Sequence, residues 1–242
     1  SSVVIDESYD DNTVYLYTGS QSRTKGSDLP DGYGYSYQRK INGLTGAIIW
    51  EKRWICSTGD ASASGGIVAT PHVGRGQISN LVIYSFSLAA QSNGAVPTQS
   101  SQTPDPEEAA EGEASGTDDT ATQVPGEVLP QPNAGGGYTL GGRIVAYDKS
   151  SGNIIWSVEQ SNDYWASPVV VYDAQGKAYL IQCDRGGYVT MYDASSGIML
   201  NSIDVGSRID STPAVFNDML VVGTRGKGGS GKGPQIISIK IS

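Results

Sequence analysis

Histidine occurs once, at His72, and cysteine twice, at Cys56 and Cys183. One histidine leaves no triad or His-based acid–base pair within the chain. Two cysteines 127 residues apart, with no CxxC motif, offer no zinc site and no disulfide framework. Each reads as a buried thiol, or as a partner for a cysteine outside this chain, because units this far apart cannot bring the Cα atoms within about 7 Å. No run approaches 18 uninterrupted apolar residues, so no membrane-spanning helix is expected. The chain opens Ser-Ser-Val-Val-Ile, without an initiator Met or a basic, apolar leader, as expected where a signal peptide has been removed or was never included. Helical periodicity with capping residues is also missing, which points to an all-β fold.

The net charge of −9 is not spread over the chain. Asp105, Glu107, Glu108, Glu111, Glu113, Asp118, Asp119 and Glu127 fall between Gln91 and Gly137, a stretch with no Lys or Arg. The remainder is close to neutral, so there is no basic footprint for nucleic acid. The same stretch holds six of the eleven prolines and not one aromatic residue. Few of its side chains have anything to bury, so ordering it would cost more entropy than it returns. Residues 91–137 are therefore expected to be a disordered acidic insertion, a composition that suits an exported protein.

With that insertion set aside, three phrases align: KINGLTGAIIW (40–50), AYDKSSGNIIW (146–156) and MYDASSGIMLN (191–201). Each is a short apolar strand, an Asp or Asn, a tight turn ending in Ser/Thr-Gly, and a second apolar strand. A second phrase precedes them, at Ala69-Thr70-Pro71, Ser167-Pro168-Val169 and Thr212-Pro213-Ala214. Pro168 and Pro213 are 45 residues apart, a strand-only period that marks propeller blades. The third unit predicts strand A at Pro168–Tyr172, strand B at Lys177–Gln182 and strand C at Tyr188–Asp193, followed by strand D.

Asp148, Gly152 and Trp156 resemble the tryptophan-docking repeat of quinoprotein-type (pyrroloquinoline-quinone-like) β-propellers. Asn42, Gly46 and Trp50 repeat it with Asn for Asp; Asp193 and Gly197 repeat it with Asn201 in place of the Trp. The resemblance spans the chain outside 91–137 and implies β-propeller blades of four antiparallel strands, about four of them, in a single domain over 1–242. Blade one covers roughly 1–56, blade two 57–160 with the insertion between its strands, blade three 161–204 and blade four 205–242. Blade four ends on strand C, and relatives of this type have seven or eight blades. The remaining blades of the same propeller, from an N-terminal part or a second chain, are thus expected partners.

The run RGKGGSGKGP (225–234) resembles a phosphate-binding loop. Such a loop needs Ser or Thr directly after its Lys and must open a helix. Gly233 and Pro234 follow Lys232 and then a strand begins, so the run reads as a B–C loop. Loops joining D to A and B to C share one propeller face, and here they include Gly19–Tyr37. On that face Tyr164, Trp165, Arg185, Arg208, Asp210 and Arg225 form the candidate site for a protein or glycan ligand. Local packing and ion pairing among these residues are the competing reading. The acidic turns Asp10-Asp11-Asn12 and Asp28/Asp31 suggest calcium but lack EF-hand spacing, so no cofactor is expected. The expected function is a non-catalytic binding scaffold of an exported bacterial protein, extracellular, at the cell surface or periplasmic. The resemblance also implies an alternative, a quinone-dependent dehydrogenase, whose vicinal Cys-Cys pair this sequence does not contain.

Overall fold

The structure, a computed structural model, describes residues 3–8, 12–22, 25–29, 31–58, 65–88, 101–102, 141–226 and 233–241. Apart from one 3-10 turn at Gly76–Ile78, every regular element among them is a β-strand. Four antiparallel sheets follow one another along the chain. The first is β1 (Val4–Ser8), β2 (Thr13–Gly19), β3 (Tyr33–Asn42) and β4 (Ile48–Ser57), paired in that order. The second is built from β5 (His72–Val73), β6 (Leu81–Ser87), β7 (Ser101–Gln102), β8 (Gly142–Asp148) and β9 (Ile154–Gln160). Its order is β5-β6-β8-β9-β7, with the two-residue β7 lying on the outer edge.

The third sheet is β10 (Val169–Tyr172), β11 (Ala178–Cys183), β12 (Tyr188–Asp193) and β13 (Met199–Asp204), again in sequential order. The fourth has three strands, β14 (Ala214–Phe216), β15 (Met219–Gly223) and β16 (Ile236–Lys240). Sequence expectations for these strands differ from the structure by a residue or two at their ends. The larger difference is in the first sheet, where the loop expected over Gly19–Tyr37 stops at Tyr33. Tyr33, Tyr35 and Tyr37 alternate with buried Gly34, Ser36 and Gln38, the two-residue period of a half-buried strand. The insertion expected over 91–137 lies outside the described residues, except for Ser101–Gln102.

Period-two alternation places a separate core on each side of a sheet. In β6, Val82, Tyr84 and Phe86 pack with Tyr17, Trp50 and Trp54 of the first sheet. The intervening Leu81 and Ile83 pack with Ala178, Leu180 and Tyr192 of the third. Ile181 and Cys183 then turn the other way, onto Leu220 and Val222 of the fourth. The middle sheets are thus apolar on both faces, which explains why β6 and most of β8 are buried throughout. Cys56 and Cys183 are buried in two different clusters and are not joined to each other, and burial pushes the Cys183 thiol up to about 12.

Two indole rings join the sheets. Trp50 donates its Nε1 hydrogen to the Lys149 carbonyl of the next sheet at 3.1 Å, and Trp156 donates to the Ala194 carbonyl at 3.1 Å. Each ring lies over a turn glycine. A Cβ on Gly152 would meet the Trp50 ring at 2.8 Å, and one on Gly197 would meet the Trp156 ring at 2.6 Å. Both glycines also sit at positive φ, +71° and +73°, where a side chain is strained. The turns are fixed from within. Asp148 Oδ1 accepts from the amides of Ser150 and Ser151, Asp193 Oδ1 from Ser195, and Asn42 Oδ1 from Leu44 and Thr45.

A second link was not read from the sequence. Thr70 donates its amide to the Ser167 hydroxyl at 2.9 Å, and Ser167 donates its amide to the Thr212 hydroxyl at 3.0 Å. These are the residues preceding Pro71, Pro168 and Pro213, so the Ser/Thr-Pro phrase ties the inner strands of successive sheets together.

Gly46 shares the turn and the positive φ of +75°, yet a Cβ there would touch nothing within 4 Å. Gly46→Ala should therefore cost only the backbone strain, about 1 kcal/mol. Gly197→Ala adds a clash with a packed ring and should cost about 2–4 kcal/mol by urea unfolding. Equal losses at the two sites would show that the indole does not rest on the glycine.

Candidate functional site

The D–A loops at 161–168 and 205–213 meet the B–C turns at 184–187 and 224–226 on one end of the sheets. Asp184 organises its turn by accepting from the amides of Gly187 and Tyr188, each at 3.0 Å. Asn162 of the neighbouring D–A loop donates to the other Asp184 oxygen at 3.1 Å. Burial raises the Asp184 carboxyl from 3.8 to about 6, against the pull of those hydrogen bonds. The Arg185 amide donates to the Asp163 carbonyl at 3.1 Å, which locks turn to loop and aims the Arg185 side chain between them.

Arg185 is the centre of the cluster. Its guanidinium is ion-paired with Asp163 on one side and with Asp210 at 3.2 Å on the other. It also stacks on Trp165, 4.1 Å from the ring centroid, with Arg208 at 5.3 Å from the same ring. Asp210 collects two more guanidiniums, Arg208 at 2.7 Å and Arg225 at 3.0 Å. Burial works to raise the Asp210 carboxyl, but the hydrogen bonds from Arg208 and Arg225 outweigh it and hold it low. Asp163 is 1% exposed, and there burial prevails over Arg185 and lifts the carboxyl above its usual range.

Five of the six residues expected on this face come together: Trp165, Arg185, Arg208, Asp210 and Arg225. Tyr164 does not. It is 2% exposed, hydrogen-bonded to Tyr192 and packed in the core between the second and third sheets. An alternation along Asp163-Tyr164-Trp165 explains this, since successive side chains point to opposite sides. Asp163, buried beneath Arg185, takes the vacated place in the cluster. The residues flanking the glycine-rich run pair with each other, the Thr224 amide donating to the Gln235 carbonyl at 2.8 Å, and the strand β16 follows. Lys227 and Lys232 lie outside the described residues.

Chemically, the arrangement is a cluster of ion-paired guanidiniums on an aromatic support. Guanidiniums held in this way present fixed N–H donors, suited to a carboxylate or a row of carbonyls. Arg225 is the accessible member, its side chain 64% exposed against 9% for Arg185. Among the described residues no three His, Cys, Asp or Glu side chains converge as a metal-ligand set. Asp28 accepts from the Tyr35 hydroxyl at 2.7 Å and Asp31 pairs with Lys25. No helix among the described residues is long and apolar enough to cross a membrane.

Residues 140–239 match the family model described as outer membrane protein assembly factor BamB. The quinoprotein-type propeller resemblance drawn from the docking turns is borne out over that stretch. A search of curated proteins finds no match. Among solved structures, a europium-containing methanol dehydrogenase aligns at 15% identity and a TM-score of 0.48, over 93% of this chain and 39% of that one. BamB from Moraxella catarrhalis aligns at 13% identity and a TM-score of 0.32, over 96% of this chain and 55% of that one. The chain thus spans about two fifths and just over half of the two structures.

The cluster makes a contrast in stability measurable. Arg185→Leu strands the buried Asp163 carboxylate without its counter-ion and should destabilise the fold by about 3–5 kcal/mol. Arg225→Leu removes an exposed pair and should cost less than about 1 kcal/mol. Similar urea midpoints for the two variants would refute the assignment of Arg185 as the buried keystone.

Proposed function

We propose that this chain is part of a non-catalytic propeller that serves as a protein-binding scaffold in an exported, envelope-located protein. The observation that carries this reading is the Arg225–Arg208–Trp165 face, where guanidiniums held by Asp210 and by an aromatic ring stand at the surface. Interfaces favour this residue chemistry, because binding hot spots are enriched in Trp and Arg. The family match over residues 140–239 supports it, since that family is named for an assembly factor. A carboxylate-bearing protein segment is the ligand the face suits best, with an acidic glycan as the alternative ligand.

The residues present do not fit the quinone that dehydrogenase relatives would imply. The vicinal thiol pair has no counterpart, and Cys56 and Cys183 are buried in separate cores. No catalytic step is therefore assigned to this chain.

Further sheets are part of the proposal. Val3, Ile5 and Ile48 lie 54%, 59% and 55% exposed on the face of the first sheet turned away from the second. Phe216 and Ile236 are 79% and 84% exposed on the outer face of the fourth. Two open apolar faces at opposite ends of a stack call for covering. The unoccupied turn at Gly46 has the form that receives an indole at Gly152 and Gly197.

Photo-crosslinking tests the scaffold reading. A photoreactive residue at Gln235, beside Arg225, should capture a second polypeptide in the cell envelope, and Arg225→Glu should reduce that capture at least about tenfold. A probe at Gln175, in a turn on the opposite rim, should capture none. Capture indifferent to Arg225→Glu, or equal at both positions, would overturn the assignment.

A further inference from the structure

Two carboxylates are buried beneath the loops at 161–168 and 184–187, and they are held differently. Asp163 is ion-paired with Arg185. Asp184, 3% exposed, is held by N–H groups: the amides of Gly187 and Tyr188 on Oδ1, the Asn162 side chain on Oδ2, and the Gly186 amide. Its neighbour Arg185 turns away to Asp163 and Asp210, and no Lys or Arg among the described residues pairs with Asp184. The other ionisable groups around it bring no positive charge. Cys183 of β11, Tyr188 and Tyr192 of β12 and Tyr164 of the D–A loop face it, and burial keeps each of them neutral. Asp204, at the end of β13, acts on the same Tyr188 and is a further acid. In the next D–A loop Arg208 is engaged with Asp210. A buried anion without a counter-ion is the costly form of a carboxyl, and taking up a proton removes that cost. Burial accordingly raises the Asp184 carboxyl to about 6, although every one of its hydrogen bonds favours the charged form.

We propose that Asp184 and Asn162 form a proton switch that ties the B–C turn to the D–A loop in two alternative ways. Ionised, Asp184 accepts from the Asn162 Nδ2 hydrogen at 3.1 Å. In mild acid the proton enters at Oδ2, the oxygen that does not hold the Gly187 and Tyr188 amides. The new O–H needs an acceptor, and the Asn162 amide supplies one by turning over to present its oxygen in place of its nitrogen. Asn162 stays opposite Asp184 throughout, because it is buried and packed on Gly186, where a Cβ would lie 2.3 Å from its Nδ2. Oδ1 keeps the Gly187 and Tyr188 amides in both states, so the turn that carries Arg185 keeps its form. The folded carboxyl takes its proton at about pH 6 and the unfolded one at 3.8, so folding takes up a proton between these values. Asp184 therefore costs stability at neutral pH, and that cost is relieved as the pH falls through 6. Asp163, also raised by burial, acts in the same direction, and His72, lowered by burial to about 4, acts in the opposite one. The switch lies beneath Arg185 and does not depend on the ligand proposed for Arg225.

The test is an NMR pH titration of the full-length protein that carries this chain, labelled at aspartate Cγ and asparagine Nδ2. The Asp184 Cγ signal should titrate with a midpoint of about 6, and the Asn162 Nδ2 signal should move with the same midpoint. Asn162→Ala removes a donor to the charged form and should move the Asp184 midpoint up by at least about half a pH unit. Asp184→Asn holds the neutral state at every pH. Its urea midpoint, taken relative to the wild type, should be higher at about pH 7.5 than at about pH 5, with Asp163 and His72 common to both proteins. Should either variant fail to fold, the two wild-type signals decide the matter. The proposal fails if Asp184 titrates below about pH 5, if the Asn162 signal does not follow it, or if Asn162→Ala leaves the midpoint unmoved. A difference between Asp184→Asn and the wild type that is the same at both pH values would also overturn it.

Discussion

An indole ring resting on a glycine that has no side chain, and hydrogen-bonded to the carbonyl beside it, is the contact on which the stack depends. A four-stranded sheet with two apolar faces cannot stand alone in water, and each must be fixed at a definite height and angle to the next. Trp50 and Trp156 do this at the outer strands. Their rings supply area, their N–H groups supply direction, and Gly152 and Gly197 supply the flat surface that any Cβ would destroy. At the inner strands the hydroxyls before Pro168 and Pro213 set the same spacing. Between these two fixed lines, aliphatic and aromatic side chains fill the gap by alternation alone.

The function proposed for the chain rests on what that packing leaves at the edges. At one end of the stack the loop at 161–168 and the turn at 184–187 are tied to each other, as the Asn162–Asp184 and Arg185–Asp163 bonds show. Arginines mounted on such loops keep their geometry without a partner, so binding does not have to order them. The ion pairs beneath the surface and the exposed guanidinium above it therefore divide the work: Asp163 and Arg185 hold the platform, and Arg225 faces outward.

Much of this was legible in the sequence because a repeated phrase fixes chemistry and register together. The motif Asp-x-x-Ser-Gly-x-x-x-Trp names the turn cap, the flat residue and the ring in one line. Its degradation at Asn201 was equally plain. Less legible were features that depend on which way one side chain points. Tyr164 and Trp165 are adjacent aromatic residues of similar appeal, and only strand-like alternation sends one to the core and the other to the surface. The hydroxyl chain at Thr70, Ser167 and Thr212 was hidden because Ser or Thr before Pro is common, and its meaning appears only when successive sheets are stacked. The extent of β3 was missed because its glycine and tyrosines resemble a loop until their period is counted.

The most direct test of the docking contact is the coupling energy between Trp156 and Gly197, from a double-mutant cycle of Trp156→Leu and Gly197→Ala followed by urea unfolding. If the ring rests on the glycine, the two losses overlap and the double variant is less destabilised than their sum by about 1–3 kcal/mol. Strict additivity, within about 0.3 kcal/mol, would contradict the contact on which the architecture has been built.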